Sequence, residues 1–272
     1  MIDDTKLNPG DRFTLPILRH IVAWLEIGPG TRLLDAGCGP GTFAALAADA
    51  GAEVVAVDVE PAEVDKARAQ AARLGVANRI TFEAASLLDL PFEAGRFNLV
   101  WVSMVLHHIA DPVAAMTELG RVLKPGGRAA IREGGLPLRL LPFDIGMGEP
   151  GLQDRLQVAS NQWFAAMQRD TLGGLPYPYG WSRLLRDTGF KDVNAKSFAL
   201  DALSPFEPWA LDMLVRRQRQ AVERTEYGDF LSAEDRALVE MITDPASPHA
   251  LHHRDDLHAQ LADSVYVGVK AV

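Results

Sequence analysis

Asp35, Gly37, Gly39 and Gly41 stand together in the run Leu33-Leu34-Asp35-Ala36-Gly37-Cys38-Gly39-Pro40-Gly41-Thr42-Phe43. Glycine lets the backbone turn sharply and lets a ligand lie against bare main chain. A glycine-rich turn between a strand and a helix is the nucleotide cradle of doubly wound α/β folds. Spacing then narrows the ligand. A dinucleotide fingerprint reads G-x-G-x-x-G. Counted from Gly37, the third glycine arrives one place early, at Gly41, and Thr42 stands where the fingerprint needs glycine. The Asp35 carboxylate, just before the turn, repels a pyrophosphate and attracts a cationic ligand. A second acid, Asp58, ends the next apolar run, where a carboxylate can accept both hydroxyls of an adenosine ribose. His107 and His108 follow another apolar run, and an imidazole there can act as a base near neutral pH.

These residues need a frame that brings strand ends together. Strands are expected at 32–35, Glu53–Asp58, 79–83, 97–102 and 128–132. Helices are expected at 11–27 and 43–48, from Pro61 to about Leu74 ahead of Gly75, and from the Asp111-Pro112 cap to 123. Strict alternation of β and α predicts a parallel sheet with right-handed crossovers. Ligands in such sheets bind outside the carboxyl ends of the strands. After Glu133 the alternation stops. Helices are expected at 153–168, 180–187, 207–223, 233–241 and 255–262, with strands at 190–198 and 264–270. The whole reads as α/β, a doubly wound, mostly parallel seven-stranded sheet. It is one domain over 1–272, with cap insertions at 134–180 and 204–262.

S-adenosylmethionine has no phosphate, one sulfonium and one ammonium. The run around Asp35 resembles motif I of the class I S-adenosylmethionine-dependent methyltransferases. Ser86-Leu87-Leu88-Asp89-Leu90-Pro91-Phe92, continued by Gly95-Arg96-Phe97-Asn98-Leu99-Val100, resembles a stretch of the ubiquinone/menaquinone-biosynthesis-like members (methyltransferase type 11). So do Leu106-His107-His108 and the Arg121-Val122-Leu123-Lys124-Pro125-Gly126-Gly127 turn. The likeness spans about 31–133.

That resemblance implies a Rossmann-like methyltransferase with S-adenosyl-L-methionine as cofactor. It implies cofactor contacts at Asp35, Gly37, Cys38, Gly39, Gly41, Asp58, Val59, Ser86, Leu87, Ser103 and Met104. Ser86 departs from the family's Asp at the adenine amino group, although a hydroxyl can still accept there. An Asn/Asp-Pro-Pro-Tyr motif is absent at 103–106, which favours a small acceptor over nucleic acid or protein. His107 and His108 are the candidate bases, and Glu133 is a weaker candidate for orienting the acceptor. Leu136, Phe143, Trp163, Phe164, Met167, Tyr177, Tyr179 and Trp181 can line an apolar pocket, which points to a hydrophobic or aromatic metabolite. An NAD-dependent oxidoreductase and a non-catalytic S-adenosylmethionine-binding protein are the alternatives. The acceptor's identity, and methylation on O, N or C, stay open.

Composition sets outer bounds. The 272 residues are 48% hydrophobic with net charge −9, which suits a globular core and not a nucleic-acid binder. Arg216, Arg217 and Arg219 are the densest basic patch, and Glu223, Glu226 and Asp229 follow closely, as on a solvated helix face. No apolar run approaches the ~20 residues of a membrane helix. The acidic N-terminal residues do not read as a secretory signal. Cys38 is the only cysteine, so no internal disulfide forms and a cytoplasmic setting is expected. His249, His252, His253 and His258 lack a metal-site spacing, so no metal is expected. Oligomeric state is left open.

Overall fold

A computed structural model describes residues 2–172, 177–223 and 230–271; Glu226 and Asp229 of the expected helix face lie outside the described residues. Seven strands form one sheet: β1 (Arg32–Ala36), β2 (Glu53–Asp58), β3 (Ile80–Ala84), β4 (Phe97–Ser103), β5 (Leu123–Arg139), β6 (Phe190–Leu203) and β7 (His258–Lys270). Their order is β3-β2-β1-β4-β5-β7-β6. The pairs β1–β2, β1–β4, β2–β3 and β4–β5 are parallel. Strand order reverses beside β1, the place where such sheets open a ligand crevice. Inner residues of β1 and β2 are buried in succession rather than alternately, because helices cover both faces of a parallel sheet.

Local chemistry sets the helix ends. α1 (Pro9–Trp24) starts on Asn8, whose side chain accepts the Asp11 amide, with proline at the first position. α2 (Thr42–Asp49) follows the glycine turn, and α3 (Pro61–Leu74) ends on Gly75 at φ +76°. α4 (Pro112–Val122) is capped by Asp111, which accepts the Ala114 amide. Caps of this kind stabilise a helix by about 1 kcal/mol each. On one face Val100 and Val102 pack with Met116, Leu119, Leu184 and Phe190. On the other, Phe43 of α2 stacks on Trp101 of β4, with ring centroids 4.0 Å apart.

The chain divides into two compact units. The first holds Met1–Gly135, Pro176–Phe198 and Asp263–Val272, including α6 (Trp181–Asp187). The second holds Leu136–Leu175 and Ala199–Ala262. Its described helices are α5 (Leu152–Leu172), α7 (Pro208–Glu223) and α8 (Ala233–Thr243). Within it, Arg155 of α5 forks onto Asp235 of α8 at 2.8–3.1 Å. Gln153 accepts the Leu140 and Leu141 amides.

Three expectations are corrected here. The helix at 255–262 is a strand from His258 onward, preceded by a 3-10 turn at Leu251–His253. The alanines and leucines there suit a helix, but the His258 amide bonds the Leu140 carbonyl, and tertiary pairing overrides propensity. β5 does not stop at 132 but runs to Arg139 through Gly134 and Gly135, both at positive φ. The first helix ends at Trp24, with Glu26 at φ +53°.

Candidate active site

The turn after β1 is tied to β2. The Gly37 and Cys38 amides both donate to the Val57 carbonyl at 2.8 Å. The Gly39 amide donates to Asp58 Oδ2 at 2.9 Å, and the Glu60 amide to Asp58 Oδ1 at 3.1 Å. Asp58 thus fastens the turn to the start of α3. At Gly41 (φ +78°) an added Cβ would lie 2.8 Å from Ala67 Cβ, whereas at Gly39 (φ +48°) it would meet nothing within 4 Å. Gly41 is therefore glycine for close helix packing, and Gly39 is the bare main chain against which a ligand can lie. Cys38 is buried. Burial and the nearby acids push its thiol up, so it serves as apolar surface rather than as a nucleophile.

Asp35 is 2% exposed, and its Oδ2 has no hydrogen-bond partner. Burial first, then Asp58, pushes its carboxyl up to about 7 against a backbone hydrogen bond from Ala44. A buried carboxylate oxygen without a partner, at a strand end ahead of a glycine turn, is uncommon in a satisfied core. A cation beside it would supply the missing partner. Sequence reading missed the polar chain that closes this turn from the other side. Asp11 of α1 accepts from the Thr42 hydroxyl, which also accepts from Gln70 Nε2 of α3 at 2.7 Å. Gln70 is buried, yet nothing in a lone Gln inside a helical run announces that role.

Other cofactor candidates sit on neighbouring strand ends. Val59, just past β2, is 61% exposed. Beyond β3, the Ser86 hydroxyl accepts the Leu88 amide at 3.2 Å, and Leu87 is buried. Asp89, in the same segment, is exposed. At the end of β4, Ser103 Oγ accepts from Arg132, and Met104 is exposed at φ +57°. Asp35, Asp58 and Ser103 thus all close parallel strands at one edge of the sheet.

His107 and His108 follow on a short turn (Leu106–His108) with their ring centroids 4.0 Å apart. His107 is buried, and its Nδ1 lies 2.7 Å from Glu133 Oε2. Glu133 Oε1 accepts the Val105 and Leu106 amides, each at 2.8 Å. His108 is exposed. Partial burial of its ring, then the neighbouring His107, holds it below the usual histidine range against the pull of Glu133. Glu133 was legible only as an acid ending a strand; its place as the hub of this turn was not.

The expected pocket residues are divided. Tyr177, Tyr179 and Trp181 belong to the first unit; Leu136, Phe143, Trp163, Phe164 and Met167 belong to the second. Tyr177 donates to Asp187 at 2.8 Å and packs with Trp181 against the core of the first unit. Leu136 and Phe143 are exposed. In the histidine-rich segment, His252 faces Asp212 at 3.1 Å and His258 faces Asp201. No group of three metal-capable side chains occurs among the described residues, and none of their helices is long and apolar enough to cross a membrane.

Comparison with known proteins bears on this geometry. A methyltransferase-domain family model matches residues 34–131. The 27-O-demethylrifamycin SV methyltransferase of Amycolatopsis mediterranei is 34% identical over 119 residues, covering 43% of this chain and 44% of that protein. Demethylmenaquinone methyltransferase of Clavibacter sepedonicus is 33% identical over 171 residues, covering 62% of this chain and 69% of its own. The chain therefore spans under half the length of the first relative and about two thirds of the second. A solved phosphoethanolamine N-methyltransferase 2 of Haemonchus contortus, in complex with phosphomonomethylethanolamine and S-adenosylhomocysteine, has a TM-score of 0.53 at 18% identity. It covers 95% of this chain and 53% of its own, a likeness of fold.

Proposed function

This chain belongs to the S-adenosylmethionine-dependent methyltransferase family, and we propose that it methylates a small, hydrophobic or aromatic metabolite. The observation that carries the reading is the unpartnered Asp35 carboxylate oxygen at the end of β1, just ahead of the glycine turn. A dinucleotide's phosphates would meet like charge there, whereas a sulfonium or ammonium would meet an unpaired acid. S-adenosylmethionine, when bound, supplies an electrophilic methyl group on a sulfonium. Asp35 serves the cationic end and the open Gly39 backbone accommodates the ligand. Asp58, Val59, Ser86 and Leu87 serve the nucleoside, and Ser103 and Met104 complete the cofactor contacts at the end of β4. Asp58 has lone pairs left for ribose hydroxyls beyond those used by Gly39 and Glu60.

His107 or His108 takes the acceptor's proton where the acceptor carries one. The net charge of −9 supports a small acceptor rather than nucleic acid, and the single cysteine supports a cytoplasmic setting. One methyltransferase domain with acceptor-selecting insertions at 134–180 and 204–262 completes the proposal.

Titration calorimetry and a labelled-methyl screen test it. S-adenosylhomocysteine should bind and NAD should not, at equal concentration, and a panel of phenols, quinols and hydroxylated macrocycles should yield a product heavier by one methyl. Tight NAD binding with no response to S-adenosylhomocysteine would overturn the reading.

A further inference from the structure

Parallel pairing that gathers Asp35, Asp58 and Ser103 at one edge of the sheet gathers the strand starts at the other. Arg32 of β1 pairs with Glu53 of β2, Val54 of β2 with Ile80 of β3, and Phe97 of β4 with Leu123 of β5. Arg79, Arg96 and Lys124 adjoin those starts, so four cations meet at the amino edge. A cavity of about 420 Å³ there is lined by Arg32, Glu53, Arg79 and Arg96 among others. A neighbouring cavity of about 320 Å³ shares Arg32, Glu53 and Arg96 and adds Lys124. Both volumes fall on the scale of small-molecule sites, roughly 300–1,000 Å³.

Charge in this cleft is unbalanced. Among the described residues, Glu53 is the one acid lining either cavity. It lies 3.4 Å from Arg32, with both side chains largely exposed, and a pair of that kind contributes little. Arg79 donates to the Ala48 carbonyl at 3.2 Å, which leaves its charge uncompensated. Arg96 is exposed and lies over the Phe92 and Phe97 rings, 4.6 and 5.4 Å from their centroids. The rings hold the guanidinium in place while its donor fork stays available. A chain of net charge −9 thus carries a concave excess of positive charge, and low-dielectric walls focus such a field.

We propose that this amino-edge cleft is a second ligand site, separate from the cofactor crevice, and that it takes a polyphosphate group. Arginine forks match phosphate oxygens in pairs. A di- or triphosphate chain reaches several of the cations at once, whereas a lone carboxylate meets one fork. The enclosed shape and the acidic remainder of the chain favour a small ligand over nucleic acid.

Titration calorimetry with inorganic tripolyphosphate in metal-free buffer tests this. Wild type should bind at one site and weaken severalfold between about 50 and 200 mM salt, as screening of exposed charges requires. Arg96→Gln and Lys124→Gln should each weaken binding about three- to tenfold, and Glu53→Gln should tighten it. Lys124 is exposed, so its variant decides the matter even where Arg96→Gln fails to fold. Amide shifts in labelled protein should cluster at the strand starts named above. Guanosine triphosphate, which lacks the cofactor's adenine, identifies the source of the group. Affinity equal to tripolyphosphate assigns recognition to the phosphates alone, and tighter binding assigns a nucleotide. No binding at millimolar tripolyphosphate, or equal affinity in wild type and Lys124→Gln, would overturn the site. So would competition with S-adenosylhomocysteine, or tighter binding of a single-stranded oligonucleotide.

Discussion

The Gly39 amide donates to Asp58 Oδ2 at 2.9 Å, so the acid that ends β2 is bonded to the turn that ends β1. Asp58 is at once a brace and a candidate ribose acceptor. Asp58→Ala should weaken S-adenosylhomocysteine binding by about 1.5–3 kcal/mol, the scale of hydrogen bonds to a charged group. Calorimetry on the folded variant checks this, and unchanged affinity would leave Asp58 only its brace.

Asp35 predicts a pH dependence. Its folded-state carboxyl lies up at about 7, above the ordinary value of 3.8. Below about pH 4 it is protonated in both folded and unfolded chains and costs nothing. From there to about pH 7 the unfolded chain binds fewer protons than the folded one, so this group's contribution makes stability fall as pH rises. Asp35→Asn should flatten that part of the denaturation profile. A cationic ligand prefers the ionised form, against the repulsion of Asp58 and beside the buried Cys38 thiol. S-adenosylmethionine affinity should therefore drop about tenfold from pH 7 to about pH 5.5, where the ligand ammonium stays charged. An equal drop in Asp35→Asn would remove Asp35 from the cationic site.

Two glycines should respond oppositely. Gly41→Ala places a methyl 2.8 Å from Ala67 Cβ at φ +78° and should cost about 1–3 kcal/mol of stability. Gly39→Ala meets no neighbour within 4 Å and should cost about 1–2 kcal/mol at most, while reducing cofactor affinity sharply. Melting curves and calorimetry on both variants separate the roles.

His107→Ala should lose about 10²–10⁴-fold in turnover while keeping cofactor affinity. His108, held below the usual histidine range by partial burial of its ring and by His107, should stay neutral at pH 7 in an NMR titration. Full activity in both single-alanine variants would leave the site only positioning and desolvation.

The insertions should respond to ligand. Amide exchange over residues 136–172 should slow when S-adenosylhomocysteine and acceptor are both present. Exchange unchanged by ligand would deny the second unit an acceptor-selecting role.

What could be read from the chain was chemistry confined to one strand end and its turn. Asp35 through Thr42 are contiguous, and the spacing of glycines against a carboxylate already tells a cationic ligand from a pyrophosphate. The parallel sheet followed from alternation, because apolar period and turn residues act over a few neighbours. Partners distant in sequence did not follow. Glu133 meets His107 only because β4 and β5 pair in the register Ser103↔Arg132. Thr42 meets Asp11 and Gln70 only once α1 and α3 have packed beside α2. The segment at 258–262 has the composition of a helix and becomes β7 because a neighbouring strand claims its backbone hydrogen bonds. Local propensity is worth tenths of a kcal/mol per residue, ~0 to 0.7, and an unpaired buried amide costs about 1–3. Where the two conflict, tertiary pairing decides.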